Sequence, residues 1–174
     1  MLLVSVFACK SISSSMTYPL AFYEIEAAGT SPQLKVRLFS DYSSIVPNQE
    51  FNLCFFFKLK HKWYTYTPDT DKDNIPTEIK IRLPDDFEII EEKWPEPIIS
   101  TAKIENSTEK IYDEDFKVIY TIKAPENLPD NVLITASASW QVCKLSLCTL
   151  GAAQLSCELL TEKKIKSKLY NFIK

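Results

Sequence analysis

From Val132 to Val142 every second residue is apolar: Val132, Ile134, Ala136, Ala138, Trp140 and Val142 share one phase. Thr135, Ser137, Ser139, Gln141 and Cys143 occupy the other. Successive side chains of an extended chain point to opposite faces, so this pattern specifies a strand with one face in a core. A second alternating stretch, Ala153-Gln154-Leu155-Ser156-Cys157-Glu158-Leu159, follows closely. Between the two lies Cys143-Lys144-Leu145-Ser146-Leu147-Cys148, with Gly151 just beyond. The four residues between the cysteines are about what a β-hairpin tip needs to face its two ends together. A disulfide requires Cα atoms roughly 4.4–6.8 Å apart, and facing hairpin positions meet that condition. The phase puts Cys143 with the polar, water-facing set, whereas Cys157 falls in the apolar phase and reads as a small buried hydrophobe.

Short alternating segments recur along the chain: Leu34 to Phe39, Phe51 to Leu59, Ile79 to Leu83 and Phe116 to Ile122. With the two strands around the cysteines they predict seven or eight strands. Only two glycines are present against ten prolines, so the turns rely on Asn, Asp, Ser and Pro. This pattern predicts an all-β, immunoglobulin-like antiparallel β-sandwich. Two stretches break it. Thr67 to Pro76 reads as a polar, acidic connection, and Glu91 to Lys110 as a long irregular loop, kept ordered by Trp94-Pro95-Glu96-Pro97. The lysine-rich stretch 161–174 carries Ile165, Leu169, Phe172 and Ile173 at helical spacing, as in a short terminal helix or the start of a linker. The expected division is a tail or export-signal remnant over 1–30, the sandwich domain over 31–160, and a basic tail or helix over 161–174.

A chain of 174 residues can bury a substantial core. Its net charge of −3, with no Lys/Arg stripe interleaved with aromatics, gives no reason to expect a nucleic-acid partner. The run Met1-Leu2-Leu3-Val4-Ser5-Val6-Phe7-Ala8-Cys9 reads either as export-signal core, with a lipoprotein anchor at Cys9 as one form, or as a tail. No apolar run reaches the length of a membrane-spanning helix, so no integral membrane segment is expected.

Thiol–disulfide exchange needs an accessible thiolate, a second cysteine to resolve the mixed disulfide, and protection from stray oxidants. Cys143 and Cys148 supply the first two by position. The aromatic strand Trp63-Tyr64-Thr65-Tyr66, with Tyr64 and Tyr66 on one face, and a lid at Trp94 supply the third. Lys144 is the only adjacent cation. Such exchange runs between sulfurs and needs no cofactor. The competing reading is a non-catalytic binding or assembly module whose hairpin bridge is a staple, stabilising by only about 2 kcal/mol because the loop is short. On these residues alone both readings stand. A metal site is poorly supported, since His61 is the only histidine and sits among lysines at a strand end. Cys54, on the mixed face of a core strand, reads as inert. No Gly-x-Ser-x-Gly or metal-binding His motif suggests hydrolysis.

Taken in order, several segments resemble the amino-terminal domain of DsbD and its copper-sensitivity-suppressor relatives, from about Leu34 to Leu160. They are Asp41-Tyr42-Ser43-Ser44-Ile45-Val46-Pro47, Trp63-Tyr64-Thr65-Tyr66, Ile75-Pro76-Thr77, Leu83-Pro84, Trp94-Pro95-Glu96-Pro97, and Trp140-Gln141-Val142-Cys143 with Cys148. The resemblance implies a periplasmic or secreted immunoglobulin-like domain, membrane-anchored if the amino terminus is lipidated. Its cysteine pair would take electrons from a membrane-embedded reductase. It would pass them to thioredoxin-like proteins, among them disulfide isomerases and cytochrome-maturation thioredoxins. Cys148 would then form the mixed disulfides and Cys143 resolve them. Tyr64 and Tyr66 would line the site, and Trp94 would lie in its cap. The chain departs from the family at Thr149-Leu150-Gly151, where a proline is expected, and lacks a glycine-rich stretch near Asp69. Without a thioredoxin-like domain or transmembrane segments, it is expected to act as a separate subunit, a fragment or a shortened descendant.

Overall fold

Strands that bury one face need a second layer to bury it against. The computed structural model, which describes residues 31–70, 74–100 and 109–174, contains two sheets. The elements run β1 (Leu34–Ser40), β2 (Tyr42–Ser44), β3 (Glu50–Leu59), β4 (Tyr64–Tyr66), β5 (Glu78–Arg82) and β6 (Glu88–Lys93). They continue as β7 (Ile98–Ser100), β8 (Glu109–Tyr112), β9 (Phe116–Lys123), β10 (Asn131–Lys144), β11 (Leu147–Leu160), β12 (Ile165–Lys166) and the single helical turn α1 (Tyr170–Ile173).

One sheet has the order β1-β3-β9-β6. The other runs β12-β2-β11-β10-β4-β8-β7, with β5 added beside β4 on the same edge of β10. All pairings are antiparallel except the contact of β2 with β11. The expected immunoglobulin-like sandwich is therefore present. The amino-terminal readings, including the Cys9 anchor, lie outside the described residues.

The core is the meeting of two period-two faces. Phe51, Leu53, Phe55 and Phe57 of β3 and Val118, Tyr120 and Ile122 of β9 oppose Val132, Ile134, Trp140 and Val142 of β10 and Cys157 and Leu159 of β11. An aromatic column crosses it. Trp94 stacks on Tyr112, Tyr112 on Phe116, and Phe116 on Phe57, whose edge meets Trp140. Aromatic contacts of this kind add to the burial of large apolar area.

The segment Glu91 to Lys110 is not one irregular loop. It contributes the end of β6, all of β7 and the start of β8. Strand β6, Glu88-Ile89-Ile90-Glu91-Glu92-Lys93, is an exposed edge strand with a register shift at Ile89/Glu91, so the alternation that marks a half-buried strand is missing.

The carboxyl-terminal stretch also has a definite place. Ile173 is buried with Phe39, Cys54 and Phe56 on the outer face of the first sheet, and Leu169 and Phe172 pack beside it. The backbone oxygen of Phe172 accepts from Lys117 Nζ at 2.7 Å. Ser167 N–H donates to the Asp41 carbonyl at 2.8 Å, and the Asp41 carboxylate accepts Asn52 N–H at 2.8 Å and Asn52 Nδ2 at 2.9 Å. Burial pushes the Asp41 carboxyl above its ordinary range, opposed by those Asn52 hydrogen bonds and by Lys174.

Candidate functional site

Strands β10 and β11 pair without interruption from Asn131↔Leu160 to Lys144↔Leu147, leaving Leu145-Ser146 as the turn. The register makes Cys143 and Cys148 direct partners, and they form a disulfide with Cα atoms 4.1 Å apart. That separation suits the close, non-hydrogen-bonded type of antiparallel pair. The turn itself is unusual. Leu145 adopts φ 55°, a left-handed conformation that Gly or Asn takes at less cost, and its side chain is 85% exposed.

On the far side of Cys143, β4 pairs with β10 so that Tyr64 is its register partner. Cys148, Cys143 and Tyr64 thus form a row across three strands. Tyr66 and Ile111, themselves partners across β4 and β8, complete a small apolar cluster with Cys143. The Tyr64 and Tyr66 rings meet edge-on at 5.7 Å. Burial pushes the Tyr66 hydroxyl well above the usual phenol range, helped by its hydrogen bond to Tyr64 and by the charges of Tyr64 and Glu109. It stays protonated at neutral pH.

The alternation along β10 assigned Cys143 to the correct face, but that face is not wet at this end. Cys143 is 0% exposed, whereas Cys148 is exposed. The expectation that Cys143 faces water is corrected: aromatic and aliphatic side chains from β4 and β8 close over it. These strands are distant in sequence, and the phase of β10 alone carries no information about them. Lys144 is one residue out of phase with Cys143, so it sits on the opposite side of the strand rather than beside the sulfur.

Trp94 stands apart from the cysteine cluster. It packs on Tyr112 with ring centroids 6.3 Å apart, and its indole N–H donates to Glu92. Tyr112 neighbours Ile111 but faces the main core. Among the described residues, Trp94 is therefore linked to the cover of Cys143 through β8. Sequence reasoning missed Ile111; its short strand carries too few residues to show a period. Cys157 lies buried between the sheets. Cys54 lies buried beneath the carboxyl-terminal turn, where loss of hydration pushes its thiol up to about 12. Among the described residues no group of three His, Cys, Asp or Glu side chains could hold a metal ion, and no helix is long and apolar enough to cross a membrane.

No curated protein matches the chain. Among solved structures it is similar to the N-terminal periplasmic domain of ScsB from Proteus mirabilis, with TM-score 0.52 and 16% identity. That match covers 82% of this chain and 51% of the ScsB chain, so this chain spans about half the length of that relative. The reduced N-terminal domain of DsbD from Neisseria meningitidis aligns at TM-score 0.42 and 9% identity, covering 76% of this chain and 90% of the other. The first match concerns the fold, and the second is too distant to add to it. The decisive match is to the family described as thiol:disulfide interchange protein DsbD, N-terminal, which spans residues 34–158. That span contains the sandwich strands β1 to β10, most of β11, both facing cysteines and their aromatic neighbours, and so the chain belongs to the DsbD N-terminal domain family.

Proposed function

We propose that this chain is a bacterial periplasmic electron carrier that works by reversible opening of the Cys143–Cys148 disulfide. Membership of the family supports thiol–disulfide exchange in general. The finer reading concerns roles and partners. A thiolate of a reduced donor attacks the exposed Cys148 Sγ, the Cys143–Cys148 bond breaks, and Cys143 leaves as a thiolate that takes up a proton. The donor's second thiolate then displaces Cys148, carrying away the oxidised donor disulfide and leaving two thiols here. Running the same steps in reverse reduces an acceptor disulfide. Donor and acceptor are thioredoxin-like proteins, with a membrane-embedded reductase upstream. Tyr64 and Tyr66 line the site, and Trp94 steadies its cover from β8.

The observation that carries this reading is the unequal exposure of two bonded cysteines. One can be reached from solvent, while its partner is held in an apolar pocket next to two phenol groups. Attack on the reachable sulfur is then the open route. The two positions also face each other by the register of the long β10–β11 ladder, not by the bridge alone. This favours a bond free to open over a staple.

The test is trapping and poise. A Cys143→Ser chain, with Cys148 retained, should accumulate a mixed disulfide with a thioredoxin-like protein, and Cys148→Ser should not. The wild-type pair should equilibrate with glutathione buffers at a potential above roughly −300 mV. A pair that resists reduction below that value, with no trapped adduct, would establish a structural bridge instead.

A further inference from the structure

Beside Cys148 runs a trough that the exchange steps leave unused. It has a volume of about 410 Å³ and is lined by Ile75, Ser139, Trp140, Leu150, Gly151 and Ala152. Its floor is low because Ser139 and Ala152, partners in the β10–β11 register, are small. The Trp140 indole lies directly against Gly151. One wall is Leu150, 65% exposed, and the other is Ile75.

The Ile75 wall is fixed in place. Its N–H donates to Gln141 Oε1 at 2.8 Å, and Gln141 is the register partner of Leu150. Two residues on, the Thr77 hydroxyl bonds the Thr65 hydroxyl at 2.8 Å, and Thr77 N–H donates to the Tyr66 carbonyl at 3.3 Å. None of the six lining residues carries a charge.

We propose that this trough receives an apolar side chain next to the reactive cysteine of a thioredoxin-like partner, and so selects partners by that residue. The inference rests on the exchange reading given above. Its ground is continuity with the reacting sulfur. Leu150 lies two residues from Cys148 on the same strand and face, a spacing of about 7 Å. A chain segment bonded to Cys148 therefore lays its neighbouring residue over the trough. An open trough suits such a tethered segment better than a free small molecule, which needs a pocket enclosing most of its surface. Beyond Cys148, at the hairpin tip, the strained Leu145 is exposed. The fold draws no packing from Leu145.

The experiment uses the full chain carrying Cys143→Ser and two short peptide probes, Leu-Cys-Leu and Ser-Cys-Ser, each activated as a 2-pyridyl disulfide. The Cys148 thiolate attacks the peptide sulfur, a Cys148–peptide disulfide forms, and pyridine-2-thiolate is released and read by absorbance. The Leu-flanked probe is expected to react roughly tenfold faster, the gain from partly burying one leucine. Adding Leu150→Ser or Ile75→Ser should bring the ratio of the two rates close to one. A ratio near one before those substitutions, or a ratio unchanged by both, overturns the trough and leaves the exchange reading to the trapping and potential measurements above. No release from either probe overturns the exchange reading and the trough with it.

Discussion

A Cβ placed on Gly151 would come within 2.6 Å of Cε2 and 2.8 Å of Cζ2 of Trp140, its register partner across β10 and β11. Trp140 cannot retreat: it is buried against Phe57, and its indole N–H donates to Ser31 Oγ at 3.3 Å. Gly151→Ala is therefore expected to cost about 1–3 kcal/mol, the usual penalty of overpacking. Urea unfolding followed by tryptophan fluorescence measures it, and an unchanged midpoint would show that the indole has room to move.

Reduction should spare the fold. The backbone ladder from Asn131↔Leu160 to Lys144↔Leu147 contains many rungs besides the sulfur bond, so the far-ultraviolet circular dichroism of the reduced chain should match that of the oxidised one. The free energy of unfolding should fall by about 2 kcal/mol, the contribution of so short a closed loop. Loss of the strand signal on reduction would mean that the bridge holds the hairpin.

The aromatic cover predicts an order of reactivity. In the reduced chain, iodoacetamide should modify Cys148 first and Cys143 roughly tenfold more slowly, because Cys143 lies beneath Tyr66 and Ile111. Tyr66→Ala should remove most of that lag, and Tyr66→Phe should keep it. Trp94→Ala should speed modification of Cys143 less than Tyr66→Ala does, acting through Tyr112 on β8. An unchanged rate in Trp94→Ala would take that residue out of the cover.

Cys54 gives a pH signature. Its thiol is pushed up to about 12 by burial, from an ordinary value of 9.0. In the unfolded chain the thiol loses its proton near 9, while the folded chain keeps it. Below pH 9 the folded state therefore holds this contribution in full, and it declines as pH rises toward 12. The wild-type protein should lose stability over this window more steeply than Cys54→Ala, as measured by denaturant titrations at pH 8 and pH 11. Equal slopes would show that Cys54 has access to solvent.

What could be read from the residues was what is local. The alternation of β10 and β11 located the hairpin, its two facing cysteines and the core role of Cys157, because a strand's period acts within the strand. The aromatic partners Tyr64 and Tyr66 stood out as a short strand with both rings on one face. Burial of Cys143 was hidden, since it depends on β4 and β8 arriving from far along the chain. Strand β6 was hidden for a different reason: an exposed edge with a bulge has no buried face to imprint a pattern. The outer face of β3 read as mixed because Cys54 and Phe56 are covered by Phe172 and Ile173, more than a hundred positions away.

That covering has a practical consequence for anyone preparing the protein. The family match stops at Glu158, yet Phe172 and Ile173 are the lid over Cys54. A shortened version ending near Leu160 would uncover a third sulfur on the opposite sheet. It would then mix unwanted crosslinked species into any assay of Cys148. Keeping the last fourteen residues leaves Cys143 and Cys148 as the reactive pair among the described residues.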